Sequence, residues 1–358
     1  MFYPDTLNLF LTDQCNLACR YCYITSRKSS DNKLDLIFFK KAVDSFLKLP
    51  VKNKVISFSG GEPFLKFKEI KKLYEYIKNN TEPKPKFTIT TNGTLITKNR
   101  LRYLEKEDIT LTVSIDGKKE THDINRPFKS NRNTSSYNRI LDNLNGCCQK
   151  DKIKVQLVFT PATVNNLVEN IKFLWKMGFQ YIDFYPQLYC QWSKKDLNLM
   201  AIKFKEFTDF YIYLLKNCKK NRVFNNSLLQ NFIEERVLYK PIICRNIFLD
   251  GKGNYYLCNK VFSLPQSKRK KFIIGDFKNG IDIQLRSKML KQKRNEIRNL
   301  VGKDCRLCRY LKYCFCPIGD YIYFSSLDLD FKQYFPQFCR LSQIYINSFL
   351  EIKKTFKR

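Results

Sequence analysis

The chain has 358 residues, 44% hydrophobic and 27% charged, which is ordinary for a globular protein holding one large α/β domain and a smaller one. It contains no run of about 18 apolar residues, and Met1-Phe2-Tyr3-Pro4-Asp5 lacks the charged and apolar stretches of a signal peptide, so a cytoplasmic protein without a membrane partner is expected. The net charge of +32 is spread along the chain instead of forming one block, which fits a basic coat open to an acidic partner better than a dedicated nucleic-acid surface.

Short apolar runs rich in β-branched and aromatic residues predict strands over 7–11, 55–58, 87–91, 109–115, 155–160 and 181–185. Amphipathic stretches between them predict helices over 36–49, 66–78, 98–104, 137–148 and 164–176. Six successive β-then-α units call for an α/β fold with a parallel sheet, as an open doubly wound sheet or a partial barrel. Either arrangement places ligands at the C-terminal ends of the strands. Past residue 185 the rhythm breaks into helical stretches over 197–215 and 228–237. From Cys244 onward the chain reads as cysteine-rich and loop-like, with only short strands. The expected division is 1–190, a helical connection over 191–240, and a small cysteine-rich α+β domain over 241–358 packed against the first.

Fourteen cysteines without an export signal point to metal or redox chemistry before disulfides. Cys15, Cys19 and Cys22 follow the first strand with the spacing C-x3-C-x2-C. Three thiolates can hold three irons of a 4Fe–4S cube and leave the fourth open to an outside ligand. A closed zinc site wants four ligands, and the single histidine, His122, is far away in sequence.

This loop, with aromatic Tyr21 before its last cysteine, resembles the signature of radical S-adenosylmethionine (SAM) enzymes. Three further motifs follow at predicted strand ends: Gly60-Gly61-Glu62-Pro63, Thr90-Thr91-Asn92-Gly93 and Ser114-Ile115-Asp116-Gly117. Each alone would be an ordinary turn; their order is what carries the resemblance, which spans roughly residues 5–190. It implies a partial (β/α)6 barrel. Gly60, Gly61, Glu62 and Pro63 would receive the SAM ammonium. Thr91 and Asn92 would face the same rim, Ser114 and Asp116 would approach the ribose and methionine, and Arg126 would pair with the carboxylate. Reductive cleavage of SAM to a 5′-deoxyadenosyl radical is the implied chemistry, with an electron donor such as flavodoxin or ferredoxin.

Cys244, Cys258, Cys305, Cys308, Cys314, Cys316 and Cys339 resemble the seven-cysteine SPASM extension of peptide-modifying members. One spacing departs: Cys316 follows Cys314 after one residue instead of three. The resemblance implies an outer 4Fe–4S cluster on Cys305, Cys308, Cys314 and Cys339, and an inner one on Cys244, Cys258 and Cys316. With the SAM-binding cluster that makes three. An open inner iron would bind substrate; alternatively Cys190 closes it.

The family then implies a peptide maturase forming a thioether or carbon–carbon cross-link in a ribosomal precursor. Peptide epimerisation, with Cys190 as hydrogen-atom donor, and sulfatase maturation are the alternatives. Sulfatase maturases carry an Asp base after the last upstream cysteine, where this chain has Asn259, which cannot take a proton at neutral pH; Asp183 is one possible replacement. A non-catalytic iron–sulfur or zinc protein binding nucleic acid would not need the SAM-contact set. With its first strand at residue 7, the chain leaves no room for an N-terminal leader-binding domain. An acidic leader would therefore need a separate leader-binding protein or the basic surface itself.

Overall fold

In the computed structural model, which describes residues 3–24, 35–145, 150–219, 222–234, 244–301, 307–310, 313–314 and 318–356, the six expected strands form side by side. They are β1 (Thr6–Phe10), β2 (Val55–Ser59), β3 (Lys86–Thr91), β4 (Ile109–Ser114), β5 (Lys154–Phe159) and β6 (Tyr181–Pro186). Each pairs in parallel with the next. Strand order without a reversal sends every crossover the same way. The helices then cover one face, and the other stays open as the inside of a partial barrel; a doubly wound sheet would require a reversal.

Alternation along the strands separates the two faces. Leu7, Leu9, Ile56, Phe58, Ile89, Val113, Val155 and Phe184 are buried in the core. Their neighbours Asn8, Ser57, Thr90, Ser114, Gln156 and Tyr185 line a cavity on the opposite face. The crossover helices are α1 (Leu36–Leu47), α2 (Phe67–Asn80), α3 (Lys98–Lys106), α4 (Lys119–Asn125), α5 (Ser136–Leu144) and α6 (Leu167–Lys176). Side chains start several of them: Asp35 accepts from Ile37 N, Thr97 from Arg100 N and Ser135 from Asn138 N. The seven-residue α4 has no sequence prediction, being too short for a periodic signal.

Beyond β6 come α7 (Lys194–Asn217), opened by a capping box between Ser193 and Asp196, and α8 (Ser227–Ile233). The sheet then continues into the cysteine-rich part. β7 (Asn246–Leu249) pairs in parallel with β1, and β8 (Asn254–Tyr256), β9 (Ile273–Asp276) and β10 (Gly280–Ile281) follow antiparallel. Short α9 (Gln266–Arg269) lies between β8 and β9.

The expectation of a loop-like region after Cys244 is corrected by three long helical segments: α10 (Ile283–Val301), α11 (Ile318–Ser326) and α12 (Phe331–Phe356). Phe331, Tyr334, Phe338, Leu341, Tyr345, Phe349 and Ile352 recur every three or four residues and are all buried. Aromatic residues and Pro336 disguise that period, yet packing overrides both. The Tyr345 hydroxyl donates to Phe184 O at 2.7 Å, and Thr208 Oγ1 meets Ser348 Oγ at 2.6 Å, fixing α12 on β6 and α7.

Candidate active site

The six barrel strands and the loop after β1 line a cavity of about 490 Å³. Gly60 and Gly61 hold that loop in place. Gly61 N donates to Thr12 O at 2.6 Å and Glu62 N to Gln14 O at 2.8 Å, clamping the residues just before Cys15. The approach demands glycine. Gly60 sits at φ +144°, and a Cβ on Gly61 would fall 2.2 Å from Gln14 O.

The expectation for Glu62 is refined. Its carboxylate is fully buried beneath the wall, accepting from Phe64 N at 2.9 Å, Thr91 Oγ1 at 2.7 Å and Asn92 N at 2.7 Å. Burial nevertheless pushes its acid above the usual carboxylate range, against those three bonds. The wall itself is made by Gly60 and Gly61. Pro63 is buried and starts the 3₁₀ turn Pro63–Lys66 that leads into α2.

Cys15, Cys19 and Cys22 all line the cavity. The sulfur of Cys15 accepts from Leu17 N at 3.4 Å and from Asn92 Nδ2 at 3.6 Å. Burial raises the acid of the Cys15 thiol and pushes that of Cys19 up to about 12, although Arg126 pulls the latter back. Three sulfurs lining one cavity, with N–H donors at Cys15, suit metal ligation. Among the described residues, no three His, Cys, Asp or Glu side chains converge on a single ion. A cluster, by contrast, spreads its sulfur ligands around a cube.

Beside Cys19, Asp116 gathers a network without itself lining the cavity. It accepts from Tyr21 OH at 2.5 Å, Asn125 Nδ2 at 3.2 Å, Arg126 Nη2 at 3.0 Å and Val158 N at 2.9 Å. Burial opposes the Arg126 charge, but Asp116, Tyr21 and Cys19 hold its pKa above the usual value. Arg126 lines the cavity, and its buried Nε has no hydrogen-bond partner among the described residues. That unused donor fits an anionic ligand. His122 is packed behind, accepting from Asp116 N at 3.2 Å; burial lowers its pKa to about 4 and keeps it neutral. Thr91, Asn92 and Ser114 line the cavity as the sequence predicts.

Cys190 does not line it: the thiol points to Gln187 O at 3.5 Å and is pushed up to about 12 by burial. Asp183 does not line the cavity either; it accepts from Ser227 N at 2.6 Å and Ser227 Oγ at 2.8 Å, in the first turn of α8. Of the second cysteine group, Cys339 lies within electrostatic reach of Cys308 and also accepts from Gln343 Nε2 at 3.5 Å. Cys244 neighbours the buried guanidinium of Arg286, which donates to its carbonyl. Cys258 precedes the 3₁₀ turn Asn259–Ser263, and Cys314 packs at the edge of the core. Cys305 and Cys316 lie outside the described residues. Sequence motifs miss Tyr23, Tyr189 and Lys260, which line the same cavity from three distant segments.

A family model described as the radical SAM superfamily matches residues 9–174. The chain is 32% identical to an uncharacterized protein of Methanocaldococcus jannaschii over 225 residues, covering 60% of this chain and 74% of that protein. It is 22% identical to a cysteine-type anaerobic sulfatase-maturating enzyme of Clostridium perfringens, over 84% of each. Among solved structures, anSMEcpe with bound AdoMet superposes with a TM-score of 0.70 at 19% identity, covering 94% of this chain and 99% of that one. Streptococcus suis SuiB bound to precursor peptide SuiA gives 0.59 at 19% identity, covering 88% and 72%. These two likenesses establish the shared fold.

Proposed function

The chain belongs to the radical SAM superfamily, and on that premise we propose that it is a peptide maturase forming a thioether or carbon–carbon cross-link in a ribosomal precursor. One observation carries the reading: three thiols, a glycine edge and a buried arginine with an unused Nε converge on a single cavity. Cys15, Cys19 and Cys22 would hold a 4Fe–4S cluster whose open iron takes SAM, supplying a carbon-centred radical when reduced. The chain's own residues do the rest. Gly60 and Gly61 offer a backbone edge for an ammonium, and Arg126, braced by Asp116, offers a guanidinium for a carboxylate. The polar sheet face from Asn8 to Gln156 orients what lies against it.

The region 241–358 is read as a SPASM domain with two auxiliary clusters. Cys305, Cys308, Cys314 and Cys339 would hold the outer one, which the proximity of Cys308 and Cys339 supports. Cys244, Cys258 and Cys316 would hold the inner one, with the buried Arg286 guanidinium beside Cys244. A second reading, sulfatase maturation, is favoured by the match over 84% of the Clostridium enzyme. Against it stands Asn259 in the cavity wall, an amide where that reaction calls for a base.

The test is anaerobic co-production with each short peptide encoded beside the gene, followed by high-resolution mass spectrometry. Loss of two hydrogens from one peptide is expected, with fragmentation locating the new bond. An unchanged mass in water with one deuterium gained in heavy water would replace cross-linking by epimerisation. Unaltered peptides, with SAM still cleaved, would refute a peptide precursor substrate.

A further inference from the structure

Among the described residues, no carboxylate and no imidazole lines the cavity. A reaction there that releases a proton needs an acceptor behind the wall. Glu62 is braced by three donors and Asp116 by four. Asp320, on α11, is different. It is 2% exposed, and its Oδ1 has no hydrogen-bond partner among the described residues. The hydroxyls of Tyr189 and Tyr334 share that condition. The Tyr189 hydroxyl and the Asp320 carboxylate nevertheless face each other as a donor–acceptor pair, and the Tyr334 hydroxyl faces Gln337 and the Tyr189 backbone. A buried tyrosine–carboxylate pair that holds no closer partner is costly unless a passing ligand or proton uses it.

Tyr189 stands between this place and the cavity: the residue lines the wall, and its hydroxyl is buried on the Asp320 side. Its backbone is held at φ +66°, a conformation unfavourable for a tyrosine and characteristic of functional positions. The ring packs against Tyr323 with centroids 4.2 Å apart, and Lys260 Nζ sits 4.7 Å from its centroid. The groups facing Asp320 are therefore Tyr189 after β6, Lys260 from the 3₁₀ turn after β8, and Tyr334 from α12. Burial outweighs Lys260 and raises the Asp320 acid to about 6. Such a carboxylate is ionised at neutral pH and more basic than an ordinary aspartate.

We propose that Asp320, reached through the Tyr189 hydroxyl, accepts the proton that a substrate gives up in the cavity. This rests on the peptide-maturase reading. In the step, a heteroatom–hydrogen bond of the substrate breaks and its electron pair stays on the substrate. Its proton moves to the Tyr189 oxygen as the Tyr189 proton passes to Oδ1 of Asp320, so no oxidant or reductant is consumed.

Infrared titration of the full-length, cluster-loaded enzyme tests the acceptor without any substrate. A protonated-carboxyl band should titrate near pH 6 and be absent from Asp320→Asn. Its exchange in heavy water should slow at least tenfold in Tyr189→Phe. A missing band, or exchange indifferent to Tyr189→Phe, would overturn the proposal. With the peptide found above, product per SAM cleaved should rise through pH 6 in the wild type. It should fall at least tenfold and lose that limb in Asp320→Asn, and regain the limb in Asp320→Glu, which keeps the acid and controls for folding. An unchanged limb in Asp320→Asn would also overturn it. If the wild type alters no peptide, the maturase reading fails, and the infrared result alone decides whether Asp320 is the acceptor.

Discussion

Asp116 accepts four hydrogen bonds while fully buried, and one donor is the guanidinium of Arg126. Removing its charge leaves Arg126 as an uncompensated buried cation, which costs about 3–5 kcal/mol. We expect Asp116→Asn to lower stability by that order and to weaken SAM binding, read by denaturant unfolding and equilibrium dialysis. Asp320 behaves oppositely. Its acid is raised in the folded state, so ionisation opposes folding. No penalty exists below the unfolded value near 3.8; it grows as pH rises from there through about 6 and is constant above. Asp320→Asn should therefore be more stable than wild type by up to about 3 kcal/mol at pH 7.5, with the difference fading by pH 4.5. A wild type as stable as the variant at pH 7.5 would show that the carboxylate is compensated.

At the scale of elements, the end of β2 is the part on which the cysteine loop depends. Gly60 and Gly61 meet the backbone of residues 12–14 so closely that a methyl group must displace it. Overpacking of this kind costs about 1–3 kcal/mol. We expect Gly61→Ala to stay folded but to shift the loop before Cys15. Its iron content after anaerobic reconstitution should fall by the equivalent of one cluster while the auxiliary sites stay loaded. Full iron content in Gly61→Ala would show that the loop tolerates the shift. The two glycines and their place at a strand end are legible in sequence. The role of Glu62 as a brace below the wall is not, because the motif names a carboxylate without saying which groups it faces.

Across the whole molecule, β7 joins the cysteine-rich part to the barrel sheet. Asn8 Nδ2 donates to Asn246 Oδ1 at 3.1 Å, and Tyr255 OH donates to Ala42 O at 2.5 Å. The chain carries a net charge of +32. An acidic leader peptide should bind it with strong salt dependence, losing at least tenfold in affinity between about 50 and 300 mM salt. Fluorescence anisotropy with a labelled Asp- and Glu-rich peptide measures this, and a salt-independent affinity would remove the basic coat from substrate recognition.

Local pattern alone determines the six β–α units, the cysteine loop and the three strand-end motifs, because alternation, helical period and turn chemistry are short-range properties of the chain. It also contains the period of α12, though aromatics and Pro336 hide it. Only the tertiary structure decides the rest. Strand order selects a partial barrel over a doubly wound sheet, a choice both patterns allow. Asp183 is engaged by Ser227 of α8, 44 residues away. Tyr189, Lys260, Asp320 and Tyr334 meet from four separate segments, and no spacing in sequence marks them. Such contacts depend on which faces are buried together, which is a property of the packed molecule and not of any stretch within it.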